Sequence, residues 1–347
     1  MIVTRTPLRV SFFGGGTDYP AWFKENGGGV LATTIDKYCY INCRYLPPFF
    51  DFQSRVVWSK IECVKSHADI SHPAIRGILQ WMHINFGVEI HHHGDLPART
   101  GLGSSSSFSV GLLHALYALQ GAPVSRRELA ERAIHIEQHV LQENVGVQDQ
   151  ILAAFGGFNR VDIHRDGRFD VVPLQLPPDR TLQLQENLIL LYTGLSRHAS
   201  EIAAEQISLI GSRTRELHAM QAMVAEAERI LRGSGNLDDF GRLLHEGWQL
   251  KRSLSTKVAP PFVDEIYEVA RKHGAEGGKL LGAGGGGFML LFVAPERRLG
   301  VLQALEKLLP VPFNFETRGT QLLRYDVQNT KGFDSPDDNL KKVHILG

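Results

Sequence analysis

The chain predicts a protein of two domains, each mixing β-strands with α-helices, and three observations carry that expectation. Its 347 residues suffice for two modest cores. A proline-rich connector, Leu174–Asp179, separates two halves. Each half opens on a strand signal: alternating residues 2–13 in the first, the fully apolar run Leu188–Tyr192 in the second. The expected division is 1–180, 181–330 and a polar tail over 331–347.

Bulk composition excludes several classes of function. Hydrophobic residues make up 43% and charged ones 21%, as in ordinary globular proteins. Lys+Arg and Asp+Glu are 37 each, so nothing favours a nucleic-acid or anionic-membrane partner. The longest apolar run, Phe288–Ala294, falls far short of the roughly 20 residues a membrane helix needs. The first residues lack the layout of a signal peptide, and Cys39, Cys43 and Cys63 form no CxxC pair. A cytoplasmic protein without disulfides is expected. His91-His92-His93 reads as part of a polar strand rather than a metal site, because no Cys or Glu stands at ligand spacing.

In the first strand Leu8, Val10 and Phe12 face one way and Arg9, Ser11 and Phe13 the other. Gly14-Gly15-Gly16-Thr17-Asp18 then turns tightly, which lets Arg9 and Asp18 approach one small volume. Asp18 can cap a short helix at Pro20, bind a ligand, or do both. Strands follow at Val30–Ile35, Tyr38–Tyr45, Val56–Trp58 and Val88–His93, with a helix over Ala74–Phe86.

The stretch Pro97-Ala98-Arg99-Thr100-Gly101-Leu102-Gly103-Ser104-Ser105-Ser106-Ser107 runs straight into an apolar helix. Such a junction aims unpaired N–H donors and the positive dipole end at one spot, as a polyphosphate site does. A flexible linker is the alternative, but linkers do not feed apolar helices. No lysine follows the glycines, so this is not a Walker A loop.

Ser125–Glu128 predicts a capping box and a helix whose apolar stripe includes Leu129, Ala130, Ala133, Ile134, Val140 and Leu141. Glu137 falls inside that stripe, where an unpaired carboxylate is costly. It either holds Mg²⁺ or makes a buried salt bridge. Asp149, where the next helix begins, reads in isolation as a cap.

Beyond a hairpin over Phe158–Val172 and the connector, the second half predicts a long helix from Ala199 to Leu231. A further helix, Leu237–Leu254, sets Phe240, Leu244, Trp248 and Lys251 in one line. Lys251, Arg252 and Lys257 gather cations there, on a solvated face or at a site. A helix over Pro261–His273 follows. Gly282, Gly284 and Gly287 satisfy G-x-G-x-x-G, but an apolar strand follows them instead of a helix. A glycine turn between strands, against which another loop packs closely, fits better. Glu296–Leu309 predicts a helix, and 311–327 one or two strands.

Three glycine-rich stretches in this order, Pro7–Asp18, Pro97–Ser107 and Lys279–Phe288, resemble the three motifs of the GHMP kinase superfamily. Within it, Gly14-Gly15-Gly16-Thr17-Asp18, Leu102-Gly103-Ser104-Ser105-Ser106-Ser107 and Trp248–Ser255 are most similar to the D-glycero-D-manno-heptose 7-phosphate kinases. Fucose kinases share the first of these features.

The resemblance implies an α+β, two-domain GHMP kinase fold. Its N-terminal nucleotide domain would be ribosomal protein S5 domain 2-like, and its C-terminal domain a ferredoxin-like α/β sandwich. It implies ATP phosphates on Pro97, Gly101, Leu102, Gly103 and Ser104–Ser107, and Mg²⁺ on Ser105 and Glu137. The sugar would meet Gly15, Gly16, Thr17, Asp18, Gly284 and Gly285. Asp149 matches the catalytic Asp, which reverses its reading as a cap, and Arg9 would hold it ionised. The expected reaction is phosphorylation of the anomeric hydroxyl of a heptose phosphate, whose own phosphate would need cations; Arg197, Lys251 and Lys257 are candidates. The expected partner is a small sugar phosphate, with no nucleic acid or membrane, and a homodimer is left open. The alternatives are a fucose, galactose or mannose kinase and a non-catalytic sugar sensor on the same scaffold.

Overall fold

The computed structural model describes residues 1–194 and 199–325. Arg197 and the expected tail lie outside the described residues.

The first sheet is built round one long strand. Strand β1 (Ile2–Phe13) leads through a glycine turn and helix α1 (Pro20–Asn26) into β2 (Gly28–Tyr45). The sequence predicts two strands over β2; it is a single one of 18 residues, with the break reduced to a register shift opposite Pro7 and Leu8. A shift between Ser11 and Phe13 likewise ends the alternation of β1, so that Phe12 and Phe13 enter the same core. Strands β3 (Ser54–Val57) and β4 (Ile61–Val64), helix α2 (Pro73–Trp81) and strand β5 (Val88–Gly94) follow. Helix α2 is shorter than expected, ending at Trp81. On β5, His91 bonds to Glu89, which Arg44 and Arg55 also hold, so the histidine belongs to an ion-pair cluster.

Helix α3 (Ser104–Leu119) packs across β1 and β2. Helix α4 (Arg126–His135) carries the predicted capping box between Ser125 and Glu128. One π-type turn, Ile136–Val140, ends it. The extra residue rotates the stripe, which leaves Val140 exposed while Glu137 stays fully buried. Helix α5 (Gln148–Phe155) and the hairpin β6 (Phe158–Ile163) and β7 (Phe169–Pro173) complete this half, with β6 pairing to the start of β2.

The second unit holds α6 (Pro178–Glu186), β8 (Leu188–Tyr192), α7 (Ala199–Leu209), α8 (Thr214–Arg232), α9 (Asp238–Ser253), α10 (Pro261–Lys272), β9 (Ala275–Leu280), β10 (Phe288–Val293), α11 (Arg298–Ala304) and β11 (Leu309–Pro310). Among the described residues its sheet runs β11-β8-β10-β9, all antiparallel, with α9 and α10 against β9. The expected helix over Ala199–Leu231 is broken into α7 and α8 by a 3₁₀ turn at Ile210–Ser212, where Gly211 supports neither helix.

The chain then goes back. Strand β12 (Phe315–Glu316) pairs with β2, and β13 (Gln321–Tyr325) pairs with β1. The expected second domain, 181–330, is therefore too long: its final strands belong to the first sheet. Local patterning shows that a strand forms, not which sheet receives it.

The two sheets share a core. Phe240 of α9 lies 5.5 Å from Phe12, 5.2 Å from Phe13 and 6.2 Å from Phe292, between centroids. Cys39, Cys43 and Cys63 are free thiols. Among the described residues no helix is long and apolar enough to cross a membrane. Because Phe240 joins both units, Phe240→Ala should cost about 3–5 kcal/mol in urea unfolding and lower one common transition. Two separated transitions, or a loss under about 1 kcal/mol, would show the cores to be independent.

Candidate active site

Arg9 lies in the middle of β1, and its side chain is 6% exposed. Its Nε and Nη2 donate to the two oxygens of Asp149 at 2.7 and 2.8 Å, a bidentate fork, while Nη1 donates to the Gly101 carbonyl at 2.6 Å. The Arg9 amide donates to the Leu102 carbonyl at 3.0 Å. One residue thus ties the first strand, the serine loop and the start of α5 together. Asp149 stands in the first turn of α5, which starts from Val147 without a side-chain cap. The cap reading therefore fails, and its carboxylate is partly exposed, at 25%.

The serine loop comes up to this pair at Gly103, whose left-handed backbone (φ 75°) begins α3. A Cβ there would lie 3.2 Å from both Arg9 Cγ and Asp149 Oδ2. No side chain caps α3 and no acid sits in its first turn, which leaves the anion-binding end of a 16-residue helix beside Asp149.

The four serines divide their work. Ser104 Oγ accepts from the Arg99 amide and pins the loop. Ser107 Oγ donates to the Pro7 carbonyl at 2.7 Å and Ser106 Oγ to Glu137 Oε2 at 2.9 Å, both buried. Ser105 is exposed on the first turn. The hydroxyl that touches Glu137 directly belongs to Ser106, one residue round the helix from Ser105. Pro97 has no N–H to offer and shapes the turn, its carbonyl accepting from the Thr100 hydroxyl.

Glu137 is fully buried, and burial raises its pKa to about 7. Gln150 Nε2 and Ser106 serve Oε2, while buried Oε1 takes no hydrogen bond of good geometry. The nearby Ser109 hydroxyl, which also helps hold the carboxylate ionised, is directed to the Ser105 carbonyl. An orphaned carboxylate oxygen beside hydroxyls fits a hard cation. Among the described residues Glu137 forms no salt bridge. No cluster of three acidic, His or Cys ligands occurs among the described residues, so a cation here would take its remaining ligands from nucleotide, hydroxyl and water.

At the other side of Asp149 lies Asp18, buried, with Oδ1 accepting from the Gly16 amide at 2.9 Å and Oδ2 from Gln148 Nε2 at 3.0 Å. Burial first, then the neighbouring Asp149 charge, pushes its pKa up. It does not cap α1, which starts from Tyr19 without a side-chain cap. Gly146 allows this packing, since a Cβ there would fall 1.9 Å from Asp18 Oδ2. Thr17 is fully buried, its hydroxyl engaged with Gly14 and Gly29, so its side chain holds the turn and is not presented to a ligand.

The third glycine stretch packs on the second, as expected. A Cβ on Gly282 would meet the Gly101 Cα at 2.4 Å, and one on Gly287 the Thr100 carbonyl at 2.2 Å. Gly284 and Gly285 instead abut Val258, whose carbonyl accepts from the Gly285 amide.

Of the expected substrate-phosphate cations, Arg197 lies outside the described residues, and the others have partners within the protein. Lys257 pairs with Glu205, Arg252 with Asp264, and Lys251 turns inward to donate to the Leu280 and Gly282 carbonyls. Burial and the Arg9 charge lower the Lys251 pKa to about 7. Sequence reasoning missed its neighbour Lys279, also buried, which donates to the Phe12 carbonyl at 2.8 Å. Its signal was a lone lysine in the glycine-rich strand β9.

Comparison with known proteins identifies the family. The family descriptions "GHMP kinases N terminal domain" and "GHMP kinases C terminal" match residues 68–157 and 219–310. The chain is 31% identical over 320 residues to a D-glycero-alpha-D-manno-heptose 7-phosphate kinase of Campylobacter jejuni, covering 88% of this chain and 93% of that one. It is 26% identical over 331 residues to a bifunctional fucokinase/GDP-fucose pyrophosphorylase of Arabidopsis thaliana, covering 87% of this chain but only 31% of that longer one. Among solved structures, a D-glycero-D-manno-heptose 1-phosphate kinase from Bacteriodes thetaiotaomicron superimposes with a TM-score of 0.77 at 24% identity, covering 93% of this chain and 99% of that one. The galactokinase of Lactococcus lactis, complexed with galactose, does so with a TM-score of 0.71 at 20% identity, covering 93% and 95%. The chain belongs to the GHMP kinases and is a phosphotransferase acting on a sugar hydroxyl.

Proposed function

We propose that the chain transfers the γ-phosphoryl group of ATP to the anomeric hydroxyl of D-glycero-D-manno-heptose 7-phosphate, in the cytoplasm. The observation carrying the chemistry is the Arg9–Asp149 fork facing the uncapped end of α3. The Campylobacter relative's name supports the substrate. In this reading Asp149, oriented on both oxygens by Arg9, keeps lone pairs for the sugar hydroxyl and takes its proton. The first-turn amides of α3 and the Gly101–Gly103 backbone receive the β- and γ-phosphates. Glu137, with the hydroxyls of Ser105 and Ser106, would hold Mg²⁺, which when bound neutralises charge on the transferring group. Asp18, with Gly15 and Gly16, borders the sugar, and an anomeric hydroxyl asks little of a carboxylate base.

A fucose-type sugar kinase is the second reading, favoured by the similarity to fucokinases of Arabidopsis thaliana and Bacteroides fragilis. ADP release across heptose 7-phosphate, unphosphorylated heptose, fucose, galactose and mannose separates the two. The heptose phosphate should give the highest kcat/KM, and faster turnover of fucose would overturn the assignment.

Asp149→Asn should cut kcat by about 10²–10⁴-fold while ATP affinity holds. Equal loss of both would mark Asp149 as a structural group. The raised pKa of Glu137 predicts a pH effect of definite sign. The folded chain holds that proton more tightly than the unfolded one, so the contribution is complete below the ordinary carboxylate pKa and is lost as pH rises through about 7. Without Mg²⁺, melting temperature should fall across that window; Glu137→Gln should flatten the slope, and Mg²⁺·ATP should offset it in the parent alone. Identical profiles for parent and variant would refute the role of Glu137.

A further inference from the structure

The phosphorylated substrate brings two negative charges to a site where, of the anticipated cations among the described residues, Lys257 is held by Glu205 and Lys251 by backbone carbonyls. An open cleft lies where the corner between α7 and α8 meets the first glycine turn. Gly16 and Tyr19, the neighbours of Asp18, form one wall; Gln206 and Arg213 form the other, over a floor that includes Leu217 and Leu254. The Gly16 amide also donates to Asp18 Oδ1, so this cleft borders the part of the site that Asp18 occupies.

Arg213 is under-used where it stands. Among the described residues its buried Nε has no partner, and its one carboxylate contact is a single long prong, Nη1 to Glu216 Oε1 at 3.4 Å. A buried unpaired N–H on a cation is costly, and a guanidinium edge matches the oxygens of a phosphate two at a time. Arg213 also precedes the first turn of the 19-residue helix α8, whose positive end adds to the field. Gln206 donates to the Ala283 carbonyl, which fixes this wall to the third glycine stretch.

We infer that this cleft is the subsite for the substrate's own phosphate, with Arg213 as its anchor. The inference rests on the reading of the substrate as a sugar phosphate. It places the phosphate-bearing end of the sugar against α8 and the reacting hydroxyl against Asp149. Glu216 then acts as a stand-in partner that the phosphate displaces.

Steady-state kinetics on heptose 7-phosphate and unphosphorylated heptose tests it, using the full chain, Arg213→Ala, Arg213→Lys and Glu216→Gln. Arg213→Ala should raise KM for the phosphorylated sugar by about tenfold or more, with kcat, KM for ATP and KM for the unphosphorylated sugar within about twofold. Arg213→Lys should recover part of the loss, and Glu216→Gln should lower KM for the phosphorylated sugar alone. Equal effects on both sugars, or none on either, would overturn the subsite while leaving the kinase reading intact. If Arg213→Ala fails to fold, the other two variants carry the same readout. A parent enzyme that does not prefer the phosphorylated sugar would refute the substrate assignment and the subsite with it.

Discussion

Arg9 places all its nitrogen donors within one small volume, and the site depends on that placement. Two go to Asp149, one to the Gly101 carbonyl, and the backbone amide to the Leu102 carbonyl. An arginine at 6% exposure must be matched by acceptors, since an unmatched buried cation is far costlier than the pair is stabilising. The matching fixes geometry: strand, phosphate loop and helix start cannot move separately without stranding a charge. That is the preorganisation phosphoryl transfer needs, where positioning supplies most of the rate.

Close approach of backbones is the second constraint. Gly101 against Leu281, Gly282 against Gly101, Gly287 against Thr100 and Gly146 against Asp18 each leave no room for a methyl group. Gly101, Gly282 and Gly287 also have positive φ, which other residues resist. The glycine-rich stretches are thus contact surfaces as much as flexible turns. The third stretch shows this best: its G-x-G-x-x-G run leads into a strand and backs the loop at the start of α3.

Much of this was legible beforehand because it is local. The capping box and the burial of Glu137 are properties of a dozen residues at a time, and both appear, while the alternation of β1 holds only up to its register shift. The family motifs marked Arg9, Asp18 and Asp149, which the structure brings together. What the sequence did not disclose depends on distant partners or on the phase of one turn. Whether Ser105 or Ser106 reaches Glu137 is decided by where α3 begins. Lys251 and Lys279 turn inward because carbonyls from other strands await them. Arg213 gains meaning only when α8 lies beside the first glycine turn, after a helix break that helical periodicity conceals.

The return of β12 and β13 to the first sheet bears on how the chain emerges from the ribosome. Strand β1 is made first, yet the neighbour on its outer edge, β13, comes more than 300 residues later. During synthesis that edge stays bare, with unpaired amides and carbonyls open to any other nascent strand. The second unit, inserted between β7 and β12, can assemble its own sheet in the meantime. Ribosome-bound intermediates should therefore hold a finished insert on an unfinished host, and closure of the host sheet should be the late, chaperone-sensitive event.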